Sequence, residues 1–244
     1  VEGDATLLMQ LYGLGHVPIT EQLGGIGVAL DAQADLARLP QFLQRRLTFP
    51  YFQGLNFVCR IHSQGGWPAV DAAYRDAPTT TAQVLFPERY GSKDAAVDAP
   101  DPTSPGAGWA PSLSQAYGAA ALLWLLEAPG GEVDRAPADP LAAVGDWGGG
   151  ELRTWHRGGE TAVGLSLAPR PGRAEALCAT MAAWYRAAFP AVRGFPPGPG
   201  EKVALDGAGQ DAVVRCRTGG NSPVVLVAIA PDLATARAVA SAAG

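Results

Sequence analysis

The sequence has few charged residues and no long hydrophobic run. Charged residues make up 17% of the 244 residues, the net charge is -5, and no Lys or Arg cluster exceeds the pair Arg45-Arg46. This composition argues against a nucleic-acid partner, because such proteins concentrate positive charge on one surface. No stretch reaches the roughly 18 apolar residues that a transmembrane helix needs. No signal-peptide pattern is present, so the composition leaves localisation open.

Cysteine is scarce as well, with three residues, Cys59, Cys178 and Cys216. No CxxC pair occurs, so the spacing is typical neither of a zinc ribbon nor of a disulfide framework. One disulfide can form and would leave one thiol free. The sequence alone fixes neither the pairing nor the redox compartment.

The spacing of apolar residues changes along the chain and predicts an α+β fold. A mainly helical N-terminal two-thirds, residues 1–145, is followed by a small mixed α/β C-terminal part, residues 146–244. We place the domain boundary between these two regions. The C-terminal part is expected to hold a hairpin that turns at Arg157–Glu160, a helix, further strands, and a closing helix capped by Asp232.

Several helices are predicted within the first region. Residues 2–14 carry leucines at helical spacing, and weaker helical patterns follow at about 19–30 and at 34–47. Ser112 or Ser114 is expected to cap a helix over residues 115–127. Thr80 and Gln83 have the spacing of a capping box. One helical core is predicted from four apolar residues, which are Phe52, Leu55, Phe57 and Trp67.

None of the patterns that usually carry catalysis or nucleotide binding is complete. HExxH, GxSxG and GxGxxG are all absent. The three histidines, His16, His62 and His156, are too far apart in sequence to place two imidazoles on one helical turn. Cys59 and His62 stand three residues apart on a predicted helix, a spacing that would suit a thiolate–imidazole pair, although no third group to orient them is evident.

The segment VEGDAT at residues 1–6 resembles the EGDA segment of a bacterial family of gluzincin-like, zinc metallopeptidase-like proteins. The similarity touches most of residues 1–160 and extends more loosely over residues 224–243. Further matching segments are Leu39-Pro40, Phe49-Pro50-Tyr51, Gly54, Phe57, Gly65-Gly66-Trp67, Ala72–Tyr74, Pro78–Thr81, Pro87–Tyr90 and Asp146–Gly149.

The resemblance implies that Glu2 would be the third zinc ligand, completing a site whose two histidines lie in an upstream HExxH. This chain departs from the family at three points: HExxH is missing, Phe86 stands where a histidine is common, and Gly150-Glu151 stands where the family has an aspartate after two glycines. The ligand role of Glu2 is therefore conditional on histidines outside this chain. We predict no catalytic residue, no cofactor-binding residue and no tightly held zinc in this chain alone.

Three hypotheses follow. The first is a truncated or divergent metallopeptidase-like protein that is catalytically incompetent as given, and whose relatives are often exported. The second is a non-catalytic binding or structural protein on the same fold, and the third is a thiol enzyme using Cys59. Because the chain starts at Val1 inside a motif, we expect either a fragment or a valine-encoded start. The apolar surface of the first helix would then lack a packing partner and favour self-association, while the substrate stays open.

Overall fold

The computed structural model describes residues 1–18, 35–190, 193–207 and 209–241. The chain forms two compact units, which we call the helical unit, residues 1–94, and the sheet unit, residues 95–244. The helix predicted at residues 19–30 lies outside the described residues. No described helix combines the length and hydropathy that a membrane span requires.

The helical unit is built around one long, kinked helix. At the kink, Gly66 has φ +63°, a left-handed conformation that glycine adopts without a steric penalty. Thr80 caps the helix that follows the loop, since its side chain accepts a hydrogen bond from the amide of Gln83, as predicted. The helices are α1 (Glu2–His16), α2 (Gln41–Arg75), α3 (Thr81–Leu85) and α4 (Pro87–Gly91).

The core of the helical unit is small. Phe57 is buried at 5% exposure and packs with Ile61 and Val70 of the same helix. The prediction of a four-residue core is confirmed for Phe57 and wrong for two other members, since Phe52 is 64% and Trp67 36% exposed. Phe52 lies five residues from Phe57, which turns it about 140° away on a helix, and Trp67 lies beyond the glycine kink.

The sheet unit contains a seven-stranded antiparallel sheet in the order β1-β2-β3-β7-β6-β5-β4. The strands are β1 (Ala110–Ala116), β2 (Trp147–Arg157), β3 (Glu160–Pro169), β4 (Arg193–Gly194), β5 (Glu201–Asp206), β6 (Asp211–Arg217) and β7 (Val224–Ala230). The helices are α5 (Ala119–Glu127), α6 (Pro140–Val144), α7 (Ala174–Ala188) and α8 (Leu233–Val239), with 3₁₀ turns at Pro129–Gly131 and Val133–Arg135.

The predicted fold class is wrong in its distribution of elements. The chain is α+β overall, but its C-terminal half is sheet-rich rather than a small mixed part. The strand β1 falls inside the region predicted as helical, where a helix was expected from residue 115. All seven residues of β1 are exposed and only Leu113 is a large hydrophobe, so the segment carries no alternating pattern. Its strand conformation comes from pairing with β2, which is distant in sequence.

Local signals in the C-terminal region are confirmed. The β2–β3 hairpin turns where predicted, with Arg157 opposite Glu160 and Gly158 at φ +59°. Asp232 caps α8 by accepting a hydrogen bond from the amide of Thr235 at 2.8 Å. Capping side chains and turn residues act on their immediate neighbours, which is why the sequence alone predicts them.

Candidate functional site

Two glycines bring α1 and α2 into backbone contact. A side-chain Cβ on Gly3 would lie 2.1 Å from the carbonyl carbon of Gly54, so no larger residue fits at Gly3 without moving one helix. The reverse is not true, because a Cβ on Gly54 would lie 3.5 Å from the Gly3 backbone, an ordinary contact distance. This close approach fixes the first turn of α1, and with it the neighbouring carboxylates, against the long helix.

A cavity of about 380 Å³ opens beside this contact, inside the helical unit. Its lining is mainly apolar and includes Phe57, Val58 and Val70. Glu2 and Asp4 contribute two carboxylates, and no lysine, arginine or histidine side chain is among the lining residues that the structure describes. The cavity therefore combines an apolar wall with two carboxylates at its edge.

Tyr74 holds one of these carboxylates in place. Its hydroxyl donates a hydrogen bond to Oδ2 of Asp4 at 2.7 Å, joining the end of α2 to the first turn of α1. This hydrogen bond, and secondly burial, raise the pKa of Tyr74 above its usual value, so the phenol stays protonated at neutral pH. The side chain of Glu2 has no hydrogen-bond partner among the described residues and stands exposed at the start of α1.

The potential metal ligands among the described residues lie apart from one another. No group of three His, Cys, Asp or Glu side chains suited to a metal ion occurs among them. Each histidine instead contacts a neighbour close in sequence: His16 stacks on Tyr12 with ring centroids 4.5 Å apart, and His62 packs edge-on against Trp67 at 4.8 Å. His156 lies in the sheet unit, where its Nδ1 is 3.0 Å from the hydroxyl oxygen of Thr161. Glu2 and Asp4 alone do not meet the ligand number that zinc needs.

Cys59 is a free, half-buried thiol on α2. The helix places His62 near it in sequence, but the imidazole packs on Trp67, and no hydrogen bond joins Cys59 to His62 in the described part of the chain. The pairing on which the thiol-enzyme hypothesis depends is therefore not formed.

The segment that follows α3 contributes packing rather than ligands. Phe86 lies under the guanidinium of Arg89, whose Cζ is 4.4 Å from the ring centroid. Tyr90 packs edge-on against Phe57 at 5.2 Å and donates its hydroxyl to the carbonyl of Asp76 at 2.8 Å. Tyr90 therefore supports Phe57, which lines the cavity.

The Asp146–Gly149 segment contributes packing in the sheet unit. The indole of Trp147 donates to the carbonyl of Tyr117 at 3.1 Å. A Cβ on Gly149 would lie 1.8 Å from the carbonyl oxygen of Val97, and one on Gly150 would lie 2.8 Å from that of Tyr117. The glycine run therefore allows two loop segments to lie directly on β2.

Sequence reasoning singled out Glu2 but missed Asp4 and Tyr74 as a pair. Both residues stand in segments that carry the family resemblance, yet 70 residues separate them. No local pattern joins positions so distant, and they meet because α1 packs on α2, where Gly3 closely approaches Gly54.

Comparison of the chain with protein-family models, with curated proteins and with solved structures finds no match. A function for the helical unit must therefore be argued from the cavity, from the residues at its edge and from the sequence resemblance.

Proposed function

We propose that the helical unit is the downstream part of a gluzincin-like metallopeptidase domain, and that this chain has no peptidase activity by itself. In this proposal Glu2 acts as a metal ligand only when two histidines are supplied by a segment outside the chain. Among the residues described, no group of three His, Cys, Asp or Glu side chains is placed to hold a metal ion, and we assign no catalytic step to them.

The placement of Glu2 is the observation that carries the proposal. Its carboxylate is exposed, has no hydrogen-bond partner among the described residues, and lines the cavity. The adjacent Gly3 packs the first turn of α1 directly on α2, so the backbone that carries the Glu2 side chain belongs to a packed helix rather than to a flexible loop. A metal ligand needs such positioning, because binding depends on a fixed geometry.

The exposed surface of α1 supports the same proposal. It is apolar over most of its length, and a surface helix normally buries such residues against a partner. An upstream helix bearing HExxH would supply that partner, and in its absence we expect the chain to self-associate through this surface. The exposed residues of α1 are Leu8, Met9, Leu11, Tyr12 and Leu14.

Two measurements test this proposal. The coding sequence upstream of Val1 is expected to encode HExxH, and a chain extended through it should hold one zinc after dialysis. Glu2→Gln should remove that zinc, whereas Glu88→Gln, an exposed carboxylate in the same unit, should not. Stoichiometric zinc in the chain as given, or no HExxH upstream, would contradict the proposal.

Light scattering on the same two chains tests the expected self-association. The chain as given should form dimers or larger species that disappear when Leu8 and Leu14 are both changed to glutamine. A chain that stays monomeric at high concentration would show that the apolar surface of α1 does not drive association.

A non-catalytic binding function is the second candidate, and the composition of the cavity favours it. An apolar wall beside two carboxylates, without a basic side chain in the described lining, suits a ligand that has an apolar body and a cationic group. Tyr74 holds the Asp4 carboxylate through a hydrogen bond at 2.7 Å, and both residues line the cavity.

Hexylamine, hexanol and hexanoate separate the charge of such a ligand from its apolar part. Binding followed by NMR should rank the amine first and hexanoate last, and Asp4→Asn should reduce the preference for the amine. Equal binding of all three compounds would show that the cavity binds apolar groups without a preference for a cationic ligand.

A further inference from the structure

A disulfide crosses the core of the sheet unit. Cys178 of α7 and Cys216 of β6 are bonded, with their Cα atoms 6.0 Å apart and a sequence separation of 38. That Cα separation lies within the range that a disulfide spans without moving the backbone. The bond joins a helix to a strand in the interior of the sheet, because β6 is flanked by β5 and β7. The third cysteine, Cys59, belongs to the helical unit and is free.

The disulfide is inaccessible to solvent at Cys178, its end on α7. Cys178 is 1% exposed, and its helix neighbours Leu177 and Met181 are fully buried. On the strand side, Cys216 is half-buried and pairs in register with Val225, which is fully buried. A reducing thiolate could therefore approach only the sulfur of Cys216.

Attack at Cys216 would release the thiolate of Cys178 into an apolar interior. Thiol–disulfide exchange requires both access to one sulfur and a stable thiolate on the other, and an apolar environment disfavours a charged leaving group. Reduction of this bond in the folded protein should therefore be slow. It should become fast only when α7 separates from the sheet.

We propose that Cys178 and Cys216 form a permanent structural disulfide, and that the chain consequently matures in an oxidising compartment. Bond formation removes two protons and two electrons from the two thiols. A disulfide-bonded thiol oxidoreductase accepts them by exchange and leaves as a dithiol. The reducing cytosol opposes this reaction, whereas secretory and periplasmic compartments support it. The inference rests on the sheet unit alone and is independent of the function proposed for the helical unit.

The bond should contribute measurably to stability, because it closes a long loop in the unfolded chain. A loop of this length and a unit of this size correspond to a melting temperature about 10 °C higher than that of the protein without the bond. The double variant Cys178→Ala/Cys216→Ala should lose this increment, whereas Cys59→Ala should change the melting temperature of the sheet unit little.

Differential alkylation of the full chain, exported to an oxidising compartment, tests the proposal. After native alkylation, unfolding and digestion, Cys59 should carry the label, and the peptides with Cys178 and Cys216 should appear cross-linked. Dithiothreitol should leave the cross-link intact in the folded protein and remove it once denaturant is added. This readout uses the wild-type chain, so it decides the question even if the double variant fails to fold.

Two results would overturn the proposal. Labelled, separate Cys178 and Cys216 peptides from exported protein would show that the bond does not form. Rapid reduction of the bond by dithiothreitol in the folded protein, with the sheet unchanged, would show that it is exchangeable rather than permanent.

Discussion

The helical unit and the sheet unit bury their apolar residues to very different extents. In the sheet unit, most large apolar residues are interior, and the exposed ones that the structure describes are Val97, Leu113, Val133 and Leu141. In the helical unit, exposed apolar residues cover much of α1 and the first half of α2, and the buried hydrophobic residues described there are Leu7, Phe57, Ile61, Val70, Ala82 and Leu85.

The same contrast holds for polar interactions. The sheet unit buries Glu201 between two arginines and ties α7 to β6 with a disulfide. The helical unit places its carboxylates Glu2 and Asp4 at the edge of an open cavity. A folded chain keeps exposed apolar surface and accessible carboxylates where another molecule or segment is to be bound. This difference is why we propose that the functional surface lies in the helical unit, while the sheet unit holds most of the buried apolar residues.

Removal of Glu201 should have the largest effect, because its charge is fully buried. Arg237 donates to both carboxylate oxygens at 2.9 and 3.0 Å, and Arg215 donates to Oε1 at 3.1 Å. Glu201→Ala should destabilise the sheet unit by roughly 3–5 kcal/mol, since two arginines would lose their common partner. The exposed pair Arg157–Glu160 is the control, and Glu160→Ala should cost less than about 1 kcal/mol. Equal losses of unfolding free energy for Glu201→Ala and Glu160→Ala, measured by denaturant titration, would show that the buried ion pairs contribute no more than the exposed one.

Acid should weaken the same triad. Burial alone would raise the pKa of Glu201, but the hydrogen bonds from Arg237, from the Gly198 amide and from Arg215 lower it to about 2. A carboxyl whose pKa is lower in the folded state stabilises the protein above its unfolded pKa of about 4.3, and this stabilisation is lost as the pH falls towards 2. Wild type should therefore lose stability between about pH 4.5 and 2, and Glu201→Gln should show a shallower slope. If stability fell with pH equally steeply in wild type and Glu201→Gln, carboxyl groups other than Glu201 would account for the acid sensitivity.

Within the helical unit, two phenylalanines of α2 should differ strongly. Phe57 is buried at 5% exposure, so Phe57→Ala should cost roughly 3 kcal/mol, at the low end for a phenylalanine because the cavity beside it is already open. Phe52 is 64% exposed, and Phe52→Ala should cost less than about 0.5 kcal/mol. Melting curves of the two variants measure the difference. Similar decreases in melting temperature would show that the Phe52 side chain is buried in solution.

A smaller effect is expected at the contact between α1 and α2. Gly3→Ala should destabilise the helical unit by about 1–2 kcal/mol, because its Cβ would overlap the Gly54 carbonyl. Gly54→Ala should be neutral or stabilising by up to about 1 kcal/mol, since the added methyl has room and alanine favours the helix. Gly3→Ala should therefore lower the melting temperature, and Gly54→Ala should leave it unchanged or raise it. A stable Gly3→Ala variant would mean that α1 does not need this close packing.

Sequence reasoning succeeded where structure depends on neighbouring residues. The caps at Thr80 and Asp232 and the turn between β2 and β3 were predicted because each involves residues within four positions of one another. It failed at β1, an exposed edge strand with one large hydrophobe, which is held by pairing with the distant strand β2.

The candidate site shows the same limit. Glu2 was found through a short motif, whereas the cavity depends on two glycines 51 positions apart and on a hydrogen bond between Asp4 and Tyr74. The split core of α2 has a geometric cause. Five residues of helix turn the Phe52 side chain to a different face from that of Phe57. The kink at Gly66 changes the direction of the helix before Trp67.

Amide hydrogen exchange, followed by mass spectrometry on the whole chain, tests the contrast between the two units most directly. Backbone protection falls where few apolar contacts cover an element. We expect α1 to exchange within minutes, while β3, β6 and β7 exchange only through global unfolding of the sheet unit. Protection of α1 equal to that of the central strands, in a chain shown to be monomeric, would contradict the account, because it would mean that the helical unit is closed and already complete.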